Sequence, residues 1–155
     1  MRIFADDVPF DIGKAYVIKD GKDATIIATG YMLTEAIRAI GILEKEGLDV
    51  GVLDMCTLKP LDDEAIIRVA EKTGAIVTAE NGSVIGGLGD GVAAVLAENL
   101  PTPMVRVGVE DEFSQSGKIT REIDELKVHF GLGAEDIAVS VKECIAKREK
   151  LKKRK

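Results

Sequence analysis

The chain has 155 residues, 46% hydrophobic and 31% charged, with a formal net charge of −6 at pH 7. This length supports one compact core and is short for two ordinary domains, and no apolar run approaches the roughly 20 residues needed to cross a bilayer. Of the net charge, +5 lies in the tail on Lys150, Lys152, Lys153, Arg154 and Lys155, so the remainder carries −11 and is a poor match to a nucleic-acid backbone.

Residues 1–12 read as an irregular linker, with acids and a proline where a signal peptide needs a basic start and a longer apolar core, so export is not expected and a cytoplasmic location is. Lys14–Ile18 and Ala24–Ala28 are β-rich runs on either side of Lys19-Asp20-Gly21-Lys22, whose Asp-Gly predicts a hairpin with the two strands antiparallel. A helix follows Thr29-Gly30, with Leu33, Ala36, Ile37, Ile40 and Leu43 on one face and Gly47 as its stop. Val50–Met55 is the next strand. Pro60 and the acids Asp62, Asp63 and Glu64 open a second helix, negative charge suiting its positive dipole end, with Ile66, Val69 and Ala70 inward and Gly74 closing it.

Ala75–Ala79 is a short apolar strand, and after a glycine-rich run Val92, Val95 and Leu96 mark a third helix ending before Pro101. Val105–Val107 is a fifth strand. Helices are then predicted around Arg121–Phe130 and Ala134–Glu149, the latter burying Ile137, Val141, Cys144 and Ile145. Apolar strands alternating with amphipathic helices predict an α/β fold whose mainly parallel sheet is covered on both faces. The domain is expected over residues 13–149, with the basic residues 150–155 as a solvated helix end.

The run from Glu80 to Val92, ENGSVIGGLGDGV, is the natural place to look for a phosphate or diphosphate loop. A dinucleotide fingerprint turns directly out of its strand, whereas Glu80–Ile85 intervene here, and the spacing of Gly86, Gly87, Gly89 and Gly91 fails GxGxxG. A thiamine-diphosphate signature needs an asparagine nearly thirty residues after Gly89-Asp90-Gly91 to share a magnesium ion with the aspartate. The asparagines are Asn81 and Asn99, so Asp90 lacks that companion. The plainer reading has the glycines letting a helix start pack closely on its neighbours.

Cys56 follows a strand, where α/β enzymes place nucleophiles, but the single histidine, His129, lies far along the chain in a helical context. A buried structural thiol is the expectation, and neither Cys56 nor Cys144 has the spacing of a zinc site or disulfide framework. Ser83, Ser114, Ser116 and Ser140 have no Gly-x-Ser-x-Gly elbow. Glu80, Asp111 and Glu112 could offer carboxylates at strand ends, with capping and solvated charge as the ordinary roles.

Taken in order, DDVPFDIGKAYVIKDGKDATI, ATGYMLTEAIRAIGILEKEGLDVGVLDMCTLKPLD, AENGSVIGGLGDGVAAVL, RVGVEDEFSQSG and FGLGAEDI resemble the C-terminal domain of transketolase, from about Asp7 to Glu143. Related domains occur in 1-deoxyxylulose-5-phosphate synthase and in 2-oxo-acid dehydrogenase beta subunits. The resemblance implies a three-layer α/β/α domain with a five-stranded sheet and one antiparallel edge strand. It implies that thiamine diphosphate and Mg2+ are held by other domains of a complete enzyme that moves a two-carbon ketol unit between sugar phosphates. It carries no catalytic, cofactor-binding or metal residue onto this chain, and implies as partners the cofactor-binding domains or subunit of transketolase, in a homo-oligomer or a heteromeric assembly. Family members often have histidine where Gly82 stands and small residues where Asp90 and Gly91 stand. Met1 falls near the linker to a pyrimidine-binding domain, so a naturally split subunit or a fragment is expected. A free-standing phosphate- or nucleotide-binding module using Gly86–Gly91 is the alternative from another class.

Overall fold

The computed structural model describes residues 3, 4, 10–113 and 127–154. In chain order these form β1 (Ala15–Lys19), β2 (Ala24–Ala28), α1 (Met32–Lys45), β3 (Val50–Met55), α2 (Asp63–Thr73), β4 (Ile76–Ser83), α3 (Leu88–Asn99), β5 (Met104–Val109) and α4 (Ala134–Lys152). The strands make one sheet in the order β1-β3-β2-β4-β5. β1 is antiparallel to β3, and the remaining neighbours are parallel.

Successive strand residues point to opposite faces, and both faces are covered, which is why β2 and β3 are apolar at both parities. Ile26, Val52 and Val77 pack under α1 and α4. Ile27, Leu53 and Ile76 pack under α2 and α3. α1 buries Leu33, Ala36, Ile40 and Leu43, and α4 buries Ile137, Val141 and Cys144, while Ile37 and Ile145 are only partly covered. α2 starts as its acids predict: the Asp62 carboxylate accepts from Ala65 N at 3.1 Å, and the helix closes at Gly74 with φ 65°.

The expected hairpin is not formed. β1 and β2 run in opposite directions, but β3 lies between them and takes hydrogen bonds from both. The Asp20-Gly21 turn instead crosses the start of β3, where Lys22 N and Asp23 N each donate to Asp49 O at 2.9 Å. Two glycines permit the crossing, since a Cβ on Gly21 would lie 2.0 Å from the backbone nitrogen of Gly51. β3, buried at every residue, satisfies its backbone only with a partner on each side.

β4 continues four residues past the expected Ala79, α3 starts at Leu88, before Val92, and β5 extends to Val109. Of the helix expected around Arg121–Phe130, residues 127–129 are helical and 121–126 lie outside the described residues. No described helix is long and apolar enough to cross a membrane.

Candidate functional site

The glycine-rich connection lies beyond the carboxyl end of β4, between that strand and the N-terminus of α3, the position from which parallel sheets usually present ligand groups. Its helix start is already filled from within. Glu80, only 4% exposed, reaches across the connection so that Oε2 accepts from Leu88 N and Oε1 from Gly89 N, each at 2.8 Å. The first turn of α3 therefore holds a carboxylate of its own chain where a phosphate would otherwise sit, satisfying two donors that no helical carbonyl can reach.

The glycines make room for that carboxylate. A Cβ on Gly87 would lie 1.9 Å from Glu80 Oε2 and 2.6 Å from Ser83 O, and one on Gly108 would lie 3.1 Å from Glu80 Cγ. Gly87 has φ −98°, which other residues adopt easily, so contact rather than backbone conformation requires glycine there. One on Gly89 would meet Arg106 Cδ at 2.7 Å. The expected close approach at Gly87 is present, with a buried side chain as the nearest neighbour in addition to backbone.

Asp90 is likewise engaged. Its Oδ2 accepts from Gly86 N at 2.7 Å, and its Oδ1 pairs with Arg106 Nη1, which also donates to Val84 O at 3.1 Å. The carboxylate thus closes the loop onto β5. Among the described residues no group of three histidine, cysteine or acidic side chains is arranged to hold a metal ion. With Asp90 turned to Arg106 and the helix donors taken by Glu80, the residues present do not fit a magnesium-bound diphosphate.

The other candidates are dispersed. Cys56 Sγ donates to Asp54 Oδ2 at 3.4 Å, and burial together with that neighbouring carboxylate pushes the thiol up to about 11. Asp54 is itself raised above the ordinary carboxylate range, chiefly by burial. A thiol in this setting is held protonated at neutral pH, the opposite of an activated nucleophile. His129 is exposed and edge-on to Phe130, with centroids 4.7 Å apart. Ser83 Oγ accepts from Ile85 N, Ser140 lies half-buried on α4, and Ser114 and Ser116 fall outside the described residues. Asp111 and Glu112 are exposed in the turn leaving β5. Glu80 thus takes the capping role, and these two the solvated one.

Sequence reasoning missed a buried ionic cluster at the start of α1. Glu35, 3% exposed, takes Arg38 Nη1 at 2.9 Å and Lys127 Nζ at 3.2 Å, and Lys127 lies 5.3 Å from the Tyr31 ring centroid. Charges of both signs beside an apolar helix face gave no pattern that would join residues so far apart in the chain. The cluster ties the segment before α4 to α1.

The family model described as transketolase, C-terminal domain, matches residues 13–137. The 6-deoxy-6-sulfo-D-fructose transketolase subunit SqwH of Clostridium sp. (strain MSTE9) is 45% identical over 148 residues, 96% of this chain and 45% of that protein. An apulose-4-phosphate transketolase subunit of Phocaeicola vulgatus is 41% identical over 142 residues, covering 92% and 44%. A 1-deoxy-D-xylulose-5-phosphate synthase of Syntrophotalea carbinolica is 42% identical over 132 residues, covering 84% and 20%. Among solved structures, a split gene transketolase described as an inactive beta4 tetramer superposes with a TM-score of 0.88 at 43% identity, covering 94% of this chain and 46% of that one. The chain spans less than half the length of these relatives.

Proposed function

The chain belongs to the transketolase C-terminal domain family, and from that membership we propose that it is the noncatalytic assembly module of a cytoplasmic transketolase. The complete enzyme transfers a two-carbon ketol unit between sugar phosphates, the carbanion chemistry being supplied by thiamine diphosphate. Thiamine diphosphate and Mg2+ belong to the other domains or to a partner subunit, and this module contributes neither a catalytic group nor a cofactor ligand. Its work is to bury apolar surface against those domains and so help fix their mutual positions. Residues 13–149 form the module, residues 1–12 its linker, and the basic tail a solvated end.

The observation that carries this reading is the placement of exposed apolar side chains. Ile12 (74% exposed) precedes the antiparallel β1, Leu58 follows β3, Ile85 follows β4, Phe113 (102%) follows β5, and Tyr31 and Val128 lie beside the start of α1. All of these segments lie at the end of the sheet where the parallel strands finish. Val17, Val139 and Leu151 are exposed elsewhere, whereas six exposed apolar side chains gathered at one end of the sheet mark a surface made to be covered. The chain's share of its relatives' length leaves room for the domains that would cover it.

The test is co-purification with matched chains carrying the cofactor-binding domains, followed by a sugar-phosphate transfer assay with Mg2+ and thiamine diphosphate. A stable complex is expected, with a raised thermal midpoint because the partner binds only the folded form, and transfer that this chain does not support alone. Failure of matched chains to associate overturns the assembly reading and favours an independent binding module.

A further inference from the structure

Ile85 differs from the other exposed apolar side chains at the carboxyl end of the sheet in what holds its backbone. Val84, the residue before it, is buried, its N donating to Val109 O at 3.0 Å and its O accepting from Arg106 Nη1 at 3.1 Å. Ile85 N donates to Ser83 Oγ at 3.1 Å, and Gly86 N to Asp90 Oδ2 at 2.7 Å. Asp90 and Arg106 pair with each other, so a single ion pair grips the connection on both sides of Ile85. Gly86 supplies the turn at φ 74°, and the Glu80 carboxylate fixes the helix start beyond it. The Ile85 side chain, by contrast, is 62% exposed.

An aliphatic side chain left in water contributes little to the isolated fold, so fixing the backbone around it is not repaid there. It is repaid on binding, because a residue held in place beforehand spares the ordering cost that a loose loop meets when it docks. The flanking residues Gly82, Ser83 and Gly86 are exposed, small and uncharged. Asp90 and Arg106 neutralise each other, which leaves no free counter-charge at this point for a phosphate or a carboxylate. An apolar knob within an uncharged rim fits an apolar recess from which the rim excludes water.

We infer that Asp90 and Arg106 are positioning residues that pre-set Ile85 as the anchor of the docking surface, and that its occupant is an apolar recess, sized for one branched aliphatic group, on the chain carrying the cofactor-binding domains. The inference rests on the proposed function and adds to it a partner chemistry and a division of labour: Ile85 makes the contact, and the ion pair acts only through Ile85. The relatives carry more than half their length outside the part that this chain matches. Ile85 shares the carboxyl end of the sheet with the other apolar side chains that such a remainder would cover.

The experiment is a double-mutant cycle on the affinity of the full chain for the matched chain, using the parent, Ile85→Ala, Asp90→Ala and the double variant, each checked for its fold by circular dichroism. Ile85→Ala, at an exposed position, is expected to raise Kd at least about tenfold. Asp90→Ala should raise it about fivefold, because the connection then holds its binding geometry only part of the time, and Gly86 amide exchange should quicken in the free chain. In the Ile85→Ala background Asp90→Ala should add nothing, since no anchor remains to be positioned. A purely structural role for the ion pair would not give that coupling. Val139→Ala, exposed on α4, should leave Kd unaltered. A parent that binds while Ile85→Ala stays within about twofold of it, or an Asp90→Ala loss that is equal in both backgrounds, overturns the inference and leaves the proposed function standing. A parent that does not bind at all overturns both.

Discussion

Gly87→Ala is the sharpest perturbation of the glycine-rich connection. The new methyl would lie 1.9 Å from Glu80 Oε2 and 2.6 Å from Ser83 O, so the carboxylate must leave the start of α3. It then forfeits its bonds to Leu88 N and Gly89 N, both 2.8 Å. Hydrogen bonds to a charged group contribute about 1.5–3 kcal/mol each, so the gross loss is about 3–6 kcal/mol. The displaced carboxylate regains water beside the exposed Ser83 and Ile85, and alanine lowers the entropy of the unfolded chain by about 0.4–1 kcal/mol. A net destabilisation of about 2–3 kcal/mol is expected, on the order of 8 °C in thermal midpoint for a chain of this size. Urea denaturation at neutral pH measures it. Gly86→Ala is the control: with φ 74° and no atom within 4 Å of where its Cβ would lie, its cost is backbone strain alone, about 1 kcal/mol. If Gly87→Ala lies within about 0.5 kcal/mol of the parent, or Gly86→Ala is the worse of the two, the internal-cap account is wrong.

Arg148→Met keeps the aliphatic stem but removes the guanidinium that donates to Asp23 O and Thr73 O, each at 2.6 Å, so chemical denaturation should report a loss of about 2–3 kcal/mol; an unchanged midpoint counts against this clamp. Iodoacetamide at pH 8 should modify Cys56 about a hundredfold more slowly in the folded chain than in urea, because a thiol at about 11 holds far less thiolate than one at its ordinary 9.0; equal rates contradict that environment. Asp54 has a folded pKa above its unfolded value, so the native state binds its proton more tightly, and the stability this contributes is present below the ordinary 3.8 and is lost as pH rises through the folded value. Comparing the parent with Asp54→Asn by urea denaturation from acid to neutral pH should show this decline in the parent alone, and parallel profiles would refute it.

Period and punctuation carried most of the fold. The inward stripe of α1, the acids opening α2, and the two-sided apolar strands were legible because each is a local pattern, and the transketolase C-terminal resemblance supplied the antiparallel edge. The β1–β2 hairpin was misread because Asp20-Gly21 has the chemistry of a tight turn, while the fact that decides its use is remote: Gly51 is the residue it must pass over. The ends of β4 and α3 were blurred for a related reason. Glu80, Asn81 and Gly82 lack strand character, and they are extended because β4 still pairs with β5 at Ser83↔Val109.

At the glycine-rich connection, the sequence weighs against a diphosphate fingerprint but does not show what fills the helix start. A carboxylate eight residues before Leu88 matches no capping-box spacing, since it reaches the helix through folded space. Arg106 was invisible as a partner of Asp90 for the same reason, the two being 16 residues apart. Gly87, Gly89 and Gly108 acquire a common purpose only once Glu80 and Arg106 are seen to occupy the room a side chain would take.

The proposed module builds its glycine-rich connection around its own carboxylates, Glu80 and Asp90, and on that reading it brings no cofactor ligand to a complete enzyme. Calorimetric titration of the chain with thiamine diphosphate and Mg2+ tests it most directly. The account predicts no saturable heat from the parent chain, with Asp90→Ala indistinguishable from it. A saturable one-to-one signal that Asp90→Ala abolishes, in a variant that remains folded, would contradict it.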